Sequence, residues 1–314
     1  MGTASTKVAK PSAAPTTGCP SARVDAPPLG LEHRELIEPA LARLRCPCGE
    51  RAPSDLTFGN LYLFRAAHDY RYLPGRYPCI RGVTYDGTPH LLPLFDLTDA
   101  APAVLAGLLG PGECFYPVPA DIAAKLDAGS FAATAVRDDS DYLYRASEFA
   151  DYRRPSLRGQ RSAVRRLLEQ HRMTQFDVRH DGGNGALAVL NSWLTERKLD
   201  DQAADGAPCR EAIHPPPELP LLDGTVYYVD GQPAGFMLTE PLNPGVRVVR
   251  FAKGLRDFDG IYPYMFQQYC VSQGDSLQWL NFEQDLGNPH FRKSKLSYSP
   301  AQVQEKFRLR PRGF

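Results

Sequence analysis

The sequence predicts a mixed α/β (α+β) protein, one large domain or two, with an apolar hairpin among helices in each half and a second unit beginning near residue 139. Three observations carry this. Two apolar hairpins with an Asp-Gly turn lie about 145 residues apart, at Asp86-Gly87 and Asp230-Gly231. Segments with helical periodicity alternate with segments of period two along nearly the whole chain. The length, 314 residues, accommodates two domains of ordinary size.

The elements follow in order. Residues 1–28 are Ala, Ser, Thr and Pro with few large apolar side chains, a composition that cannot offset ordering entropy, so a disordered tail is expected there. Leu31 to Arg45 reads as an amphipathic helix with Leu36, Ile37, Leu41 and Leu44 on one stripe. Pro53-Ser54-Asp55 reads as a second helix start. Ile80, Val83 and Tyr85 lead into Asp86-Gly87, a type I′ turn signal, and His90 to Phe95 returns as the partner strand. Ala100–Leu109 and Pro119–Ala128 read as helices. The first unit is assigned to residues 29–138 and the second to 139–314.

The second unit opens with a short strand at Asp141–Tyr144. A basic helix, Gly159–His171, a strand, Thr174–Val178, and a helix, Gly185–Leu199, come next. Ala203–Pro220 is a polar, Pro-rich excursion. Thr225–Val229, Ala234–Thr239 and Arg247–Ala252 are strands, Ile261–Ser272 a helix, and Ser276–Phe282 a final strand.

Composition excludes several functions. Lys+Arg and Asp+Glu both number 36, so the chain does not bind nucleic acid through bulk charge. No run approaches the roughly 18 apolar residues of a membrane-spanning helix, and the N-terminus lacks a signal-peptide core. Seven cysteines at irregular spacing read as reduced thiols of a cytoplasmic protein, without a zinc pattern. There is no Walker A loop, GxGxxG, GxSxG or HExxH. No metal site is expected.

Charge is nevertheless uneven. Asp151–Arg172 holds seven arginines against two acids, net +5, and Leu286–Phe314 holds seven Lys/Arg against one acid, net +6. Such concentration in a neutral chain matches either a phosphate-backbone footprint or two solvated faces. The densest polar constellation is Asn281-Phe282-Glu283-Gln284-Asp285-Leu286-Gly287 followed by Arg292-Lys293-Ser294-Lys295. In extended geometry Asn281, Glu283 and Asp285 share one face. Two carboxylates beside three cations suit a site that handles a proton and an anionic ligand; solvated charges at a strand end are the alternative. A strand, a glycine-containing loop and a helix, Arg250–Tyr262, form the third feature.

Taken together, Ser54-Asp55-Leu56-Thr57-Phe58-Gly59-Asn60-Leu61-Tyr62, the hairpin Tyr228–Phe236, Asn281-x-Glu283-x-Asp285-x-Gly287, Arg292-Lys293-x-Lys295 and Tyr298-x-Pro300 resemble the pattern of soluble relatives of the phosphatidylglycerol lysyltransferase C-terminal domain. The resemblance spans roughly residues 35–312 and implies tandem GNAT-like domains, each a mostly antiparallel sheet flanked by helices. It also implies transfer of an aminoacyl group from aminoacyl-tRNA to an amine, hydroxylamine or hydroxyl acceptor, a small soluble molecule by this reading; the lipid-modifying relatives carry membrane helices that this chain lacks. For such a transfer, Glu283 or Asp285 is expected to take the acceptor's proton or hold its ammonium before deprotonation, Lys253 to lie near the reacting ester, and Tyr262 to donate to an oxyanion or the leaving ribose hydroxyl. Asn281, Arg292, Lys293 and Lys295 would bind the tRNA end, and Arg161, Arg165 and Arg166 its acceptor stem. No cofactor is expected beyond aminoacyl-tRNA as co-substrate. A conventional CoA-binding loop reads Gln/Arg-x-x-Gly-x-Gly/Ala, whereas Arg256-Asp257-Phe258-Asp259-Gly260 turns two aspartates toward a pyrophosphate. An acyl-CoA-dependent N-acyltransferase and a non-catalytic RNA-binding module are the competing readings on this fold.

Overall fold

A computed structural model describes residues 26–126, 129–201, 205–216 and 222–312. The first half runs α1 (Arg34–Arg45), α2 (Phe58–Leu63), β1 (Arg71–Leu73), β2 (Cys79–Val83), β3 (Pro89–Pro93), α3 (Pro102–Leu108), β4 (Cys114–Val118), α4 (Ala120–Lys125) and β5 (Phe131–Ala135). The second half opens with β6 (Asp141–Arg145), α5 (Ala146–Asp151), α6 (Arg158–Gln170), β7 (Met173–Asp177), α7 (Asn184–Arg197) and α8 (Gly206–Ile213). It continues with β8 (Asp223–Val229), β9 (Gln232–Asn243), β10 (Val246–Gly254), α9 (Ile261–Gln273), β11 (Trp279–Asn281), α10 (Pro289–Ser297), β12 (Gln302–Gln304) and β13 (Phe307–Pro311).

Two mixed sheets result, in the strand orders β1-β2-β3-β4-β13-β5 and β12-β6-β11-β10-β9-β8-β7. The two Asp-Gly hairpins fall in separate sheets, as the sequence predicts, but their turns differ. Asp230 (φ 49°) and Gly231 (φ 82°) are both left-handed, the type I′ pattern. At Asp86-Gly87 only the glycine is left-handed (φ 79°); the loop closes through Thr84 N donating to Thr88 O, Thr88 N donating to the Thr84 hydroxyl, and that hydroxyl donating to Asp86.

The last strand departs from the expected division at residue 138. β13 inserts between β4 and β5 of the first sheet, pairing Phe307 with Val118 and with Ala135. The first and last described strands, β1 and β13, therefore lie in the same sheet. β4, β5, β12, β13 and α8 carry little periodicity and were not expected from the sequence. α8 lies in the Pro-rich excursion, where Cys209, Ala212 and Ile213 pack against α7. The tail expected over residues 1–28 lies outside the described residues except Ala26–Pro28, where Pro28 bridges Arg71. In α1 the inward stripe is Ile37, Ala40 and Leu41, leaving Leu36 61 % exposed. At Ser54-Asp55 no helix starts; Thr57 caps α2 instead, its hydroxyl accepting from Asn60 N at 3.3 Å.

Side-chain alternation gives each sheet two faces. In the first sheet Leu91, Phe115 and Leu309 pack with Leu105 of α3. In the second, Tyr227, Met237 and Val249 pack with Met265 and Phe266 of α9, while Val226, Leu238 and Phe251 pack with Val189, Leu190 and Trp193 of α7. The two units meet across a polar layer. Its centre is Lys306, fully buried, with its ammonium 2.6 Å from Asp55 Oδ2 and 2.9 Å from Asp141 Oδ1. Arg308 pairs with Asp139 at 2.8 Å and Asp86 at 2.7 Å.

Candidate functional site

β10 and β11 run parallel but pair only over Val246–Val248 and Trp279–Asn281. β10 then continues against β9 to Gly254 while the other chain turns away. The strands part at this point, and one ion pair bridges the opening: Arg250 Nη1 donates to Glu283 Oε1. The chain reaches this geometry by leaving extended conformation after Asn281. Glu283 is left-handed at φ 57°, a conformation that costs a non-glycine residue stability and is retained where surrounding contacts enforce it. Asn281 enforces it here. Its Oδ1 accepts from Glu283 N at 2.7 Å, and its Nδ2 donates to Asp141 at 3.0 Å.

Arg250 lies midway along β10 between Val249 and Phe251, its side chain without solvent exposure. All five donors are used. Nε and Nη2 donate to Glu240 Oε2 at 3.1 and 2.6 Å. Nη2 also reaches Ser54 O at 3.2 Å and Thr57 Oγ1 at 3.1 Å, and Nη1 donates to Asn60 Oδ1 at 3.0 Å as well as to Glu283. Glu240 is in turn held by Thr57 Oγ1 at 2.9 Å and by Gly59 N at 3.2 Å. A Cβ at Gly59 would stand 2.4 Å from Glu240 Oε1, so this close backbone approach requires glycine. Glu283 has its side chain one-fifth exposed. Burial raises its carboxyl, Arg250 and Lys295 oppose that, and Asp141 and Asp55 add to it; the result is about 7.

The expected common face of Asn281, Glu283 and Asp285 does not form. Asp285 is fully buried and accepts from Tyr142 OH at 2.5 Å, Arg292 Nε at 2.8 Å and Gly287 N at 3.0 Å. Burial raises the Asp285 carboxyl, but the bonds from Arg292 and Tyr142 outweigh it and hold it at about 2. Arg292 closes the pair and reaches Asp138 at 2.5 Å. Lys295 turns inward. Its ammonium donates to Phe282 O at 2.6 Å, Glu283 O at 3.1 Å and Gln284 O, so it ties the loop's carbonyls; burial lowers it to about 8. Lys293 is exposed on α10.

Lys253 and Tyr262 come together around Trp193. The Lys253 ammonium lies 4.1 Å from the Trp193 ring centroid and 2.5 Å from Asp205 Oδ1, and Trp193 Nε1 donates to Tyr262 OH at 3.2 Å. Lys253 follows Arg250 by three residues, roughly 10 Å along the strand. α6 packs against the loop entering α9. Arg166 pairs with Asp259 at 2.8 Å, and a Cβ at Gly260 would stand 2.6 Å from Ala163 O. Arg165 is exposed beside Glu169, while Arg161 donates to Tyr152 O at 3.0 Å. Gln160 Nε2 donates to Ser297 O at 2.7 Å, which sets α6 against the end of α10. The C-terminal charge excess is thus largely internal, since Arg292, Lys295, Lys306 and Arg308 are all committed to partners within the chain.

The sequence places Arg250, Thr57 and Asn60 inside motifs but assigns them no site role, and it does not single out Glu240. The available signal was an arginine flanked on both sides by apolar residues in Val248-Val249-Arg250-Phe251-Ala252, where a charge placed inside a buried strand demands a buried partner.

Two α/β units joined through a shared first sheet, with a parted pair of parallel strands in the second, define a tandem acyltransferase-type fold of the GNAT class. The model of the phosphatidylglycerol lysyltransferase C-terminal family matches residues 49–310, and the chain belongs to that family. Solved structures agree on the fold. A conserved protein of unknown function from Bacteroides thetaiotaomicron superposes with a TM-score of 0.75 at 20 % identity, covering 91 % of this chain and 98 % of that one. L-PGS from Bacillus licheniformis superposes at 0.56 and 15 % identity, over 88 % and 91 % of the two chains. FemX superposes at 0.55 and 10 % identity, over 89 % and 96 %. No curated protein matches. Among the described residues no helix is long and apolar enough to cross a membrane.

Proposed function

We propose that the chain is an aminoacyltransferase that moves an aminoacyl group from aminoacyl-tRNA to an amine, hydroxylamine or hydroxyl acceptor, with Glu283 as general base. The observation that carries the reading is the placement of a carboxyl titrating near 7 where β10 and β11 separate, held by a buried arginine. A base with a midpoint near the working pH is the effective one. Family membership supports the reaction class.

The ester on a tRNA 3′ end is already activated. The acceptor nitrogen or oxygen attacks the ester carbonyl and its proton passes to Glu283. The carbon–oxygen bond to the ribose breaks, and the ribose oxygen takes a proton from the Tyr262 hydroxyl. Positioning supplies the larger part of the rate, up to about 7–11 kcal/mol. Lys253, beside Tyr262 and Trp193, stabilises developing negative charge. Asp285, Asn281, Arg292 and Lys295 build the loop that presents Glu283; Lys293 and the arginines of α6 supply exposed positive charge for the tRNA. Asp257 and Asp259 disfavour a CoA pyrophosphate at α9.

The acceptor is a small soluble molecule in this reading. A lipid head group is the second reading, favoured by exposed Leu286, Phe291 and Leu296 around Lys293. Incubation with a pool of charged tRNAs, following loss of each aminoacyl ester with soluble amines or with anionic vesicles, separates the two. Wild-type protein should consume one ester class and Glu283→Gln should not; equal rates for both proteins would refute Glu283 as base.

A further inference from the structure

We propose that the first unit positions the base of the second: Thr57 and Asn60, at the start of α2, aim Arg250 at Glu283 and thereby set that carboxyl's protonation. The proposal deepens the reading above and rests on Glu283 as the reactive carboxyl. The geometry is directional. Arg250 has two carboxylate partners on opposite sides, Glu240 and Glu283. A guanidinium between two carboxylates would shift toward the one with better geometry. Glu240 takes two of its N–H groups, which draws Arg250 away from Glu283.

The first unit resists that pull. Asn60 Oδ1 accepts from Nη1, the nitrogen that serves Glu283, and so holds it on the Glu283 side. Thr57 Oγ1 and Gly59 N occupy Glu240, satisfying part of its capacity from the first unit. Ser54 O takes a further proton of Nη2. Three residues of one short segment, Ser54, Thr57 and Asn60, thus contact a side chain of the other unit that touches Glu283. Thr57 also caps α2, but the packing of α2 is carried by Phe58, Leu61 and Tyr62, and that packing uses neither Asn60 Oδ1 nor the contacts to Arg250.

The charged groups that act on Glu283 from the surrounding elements are Arg250 of β10, Lys295 of α10, Asp141 of β6 and Asp55 before α2. Only Arg250 is gripped by Thr57 and Asn60. Loss of that grip removes a stabilising cation from the Glu283 carboxylate, so its midpoint moves up.

The test titrates the carboxyl itself, which keeps it separate from whether any charged tRNA is a substrate. In full-length protein carrying 13C-labelled glutamate side chains, the Glu283 resonance is assigned by its absence in Glu283→Gln and followed by NMR across pH 4–10. Asn60→Ala and Thr57→Val should each raise its midpoint by about half a pH unit or more, roughly a threefold change in proton affinity. Thr57→Ser should restore the wild-type midpoint, because it keeps the hydroxyl. Asn60→Leu, which roughly conserves volume and carries no acceptor, should raise the midpoint as Asn60→Ala does and covers the case in which Asn60→Ala does not fold. Unchanged midpoints in the folded variants would overturn the proposal while leaving Glu283 as base intact. Normal variant shifts together with full transfer by Glu283→Gln would instead overturn the reading of the site and leave the coupling standing.

Discussion

At the residue scale, the two carboxylates that stand two positions apart in the sequence have opposite chemistry. Glu283 sits in the opening between strands with one cation against it, whereas Asp285 is saturated by a guanidinium, a phenol and a backbone amide. Their variants should therefore fail differently. Glu283→Gln keeps the shape and should cost about 10²–10⁴-fold in transfer rate with little change in melting temperature. The base must be ionised to act, so kcat/KM should rise with pH through about 7 and level off above it, and a rate–pH profile checks this. Asp285→Asn should instead destabilise, because Arg292 and Tyr142 lose their partner. The folded Asp285 is depressed to about 2 against about 3.9 when unfolded. Its stabilisation is fully present above about pH 4 and lost as pH falls toward 2, so the acid limb of a denaturation curve should flatten in Asp285→Asn.

At the scale of elements, α6 is a basic helix that keeps Arg165 and Arg166 outward. Arg165 and Arg166 are exposed, though each has an acidic neighbour, and α6 abuts α10 through Gln160. Arg161 serves a different purpose, since it ties down carbonyls at the end of α5. The pair Arg165→Ala/Arg166→Ala should weaken tRNA binding and flatten the dependence of log affinity on log salt by roughly 1–2. Melting should be nearly unchanged, because exposed ion pairs contribute about 0–1 kcal/mol. Filter binding across salt concentrations reads both slopes, and identical slopes would assign the helix to solvent alone.

At the scale of the whole molecule, the two units share a strand and a buried polar layer. Lys306 has no exposure and two carboxylates against its ammonium. Lys306→Met leaves Asp55 and Asp141 buried without a cation and should cost about 3–5 kcal/mol, measured by urea denaturation. Removal of β13 opens the first sheet between β4 and β5. A fragment covering residues 29–138 should accordingly lack a cooperative unfolding transition, which circular dichroism would register. His90, buried between Tyr70 and Tyr116, is pushed down to about 3 by burial. The unfolded chain binds that proton below about pH 6.5 and the folded one does not, so stability falls between about pH 6.5 and 3. His90→Gln should lessen that fall.

The sequence by itself determined the class of fold, both hairpins, the strands β6 to β11 of the second sheet and the helices α1, α6, α7 and α9, because each carries its own period of apolar residues or its own turn chemistry. It also drew attention to the polar segment from Asn281 to Lys295, as a site or as solvated charges at a strand end, without separating Glu283 from Asp285. Only the tertiary structure decided the rest. The short strands β4, β5 and β13 are made by pairing across the chain, with 172 positions between Phe307 and Ala135, and pairing at such separation leaves no local period. The distinction between Glu283 and Asp285 rests on which one meets Arg250 and which one meets Arg292. Ser54, Thr57 and Asn60 acquire their role because the first unit folds over β10, nearly 200 residues away in sequence. Burial and hydrogen-bond partners set a carboxyl's chemistry, and both are properties of the packed chain, not of the residue's neighbours in sequence.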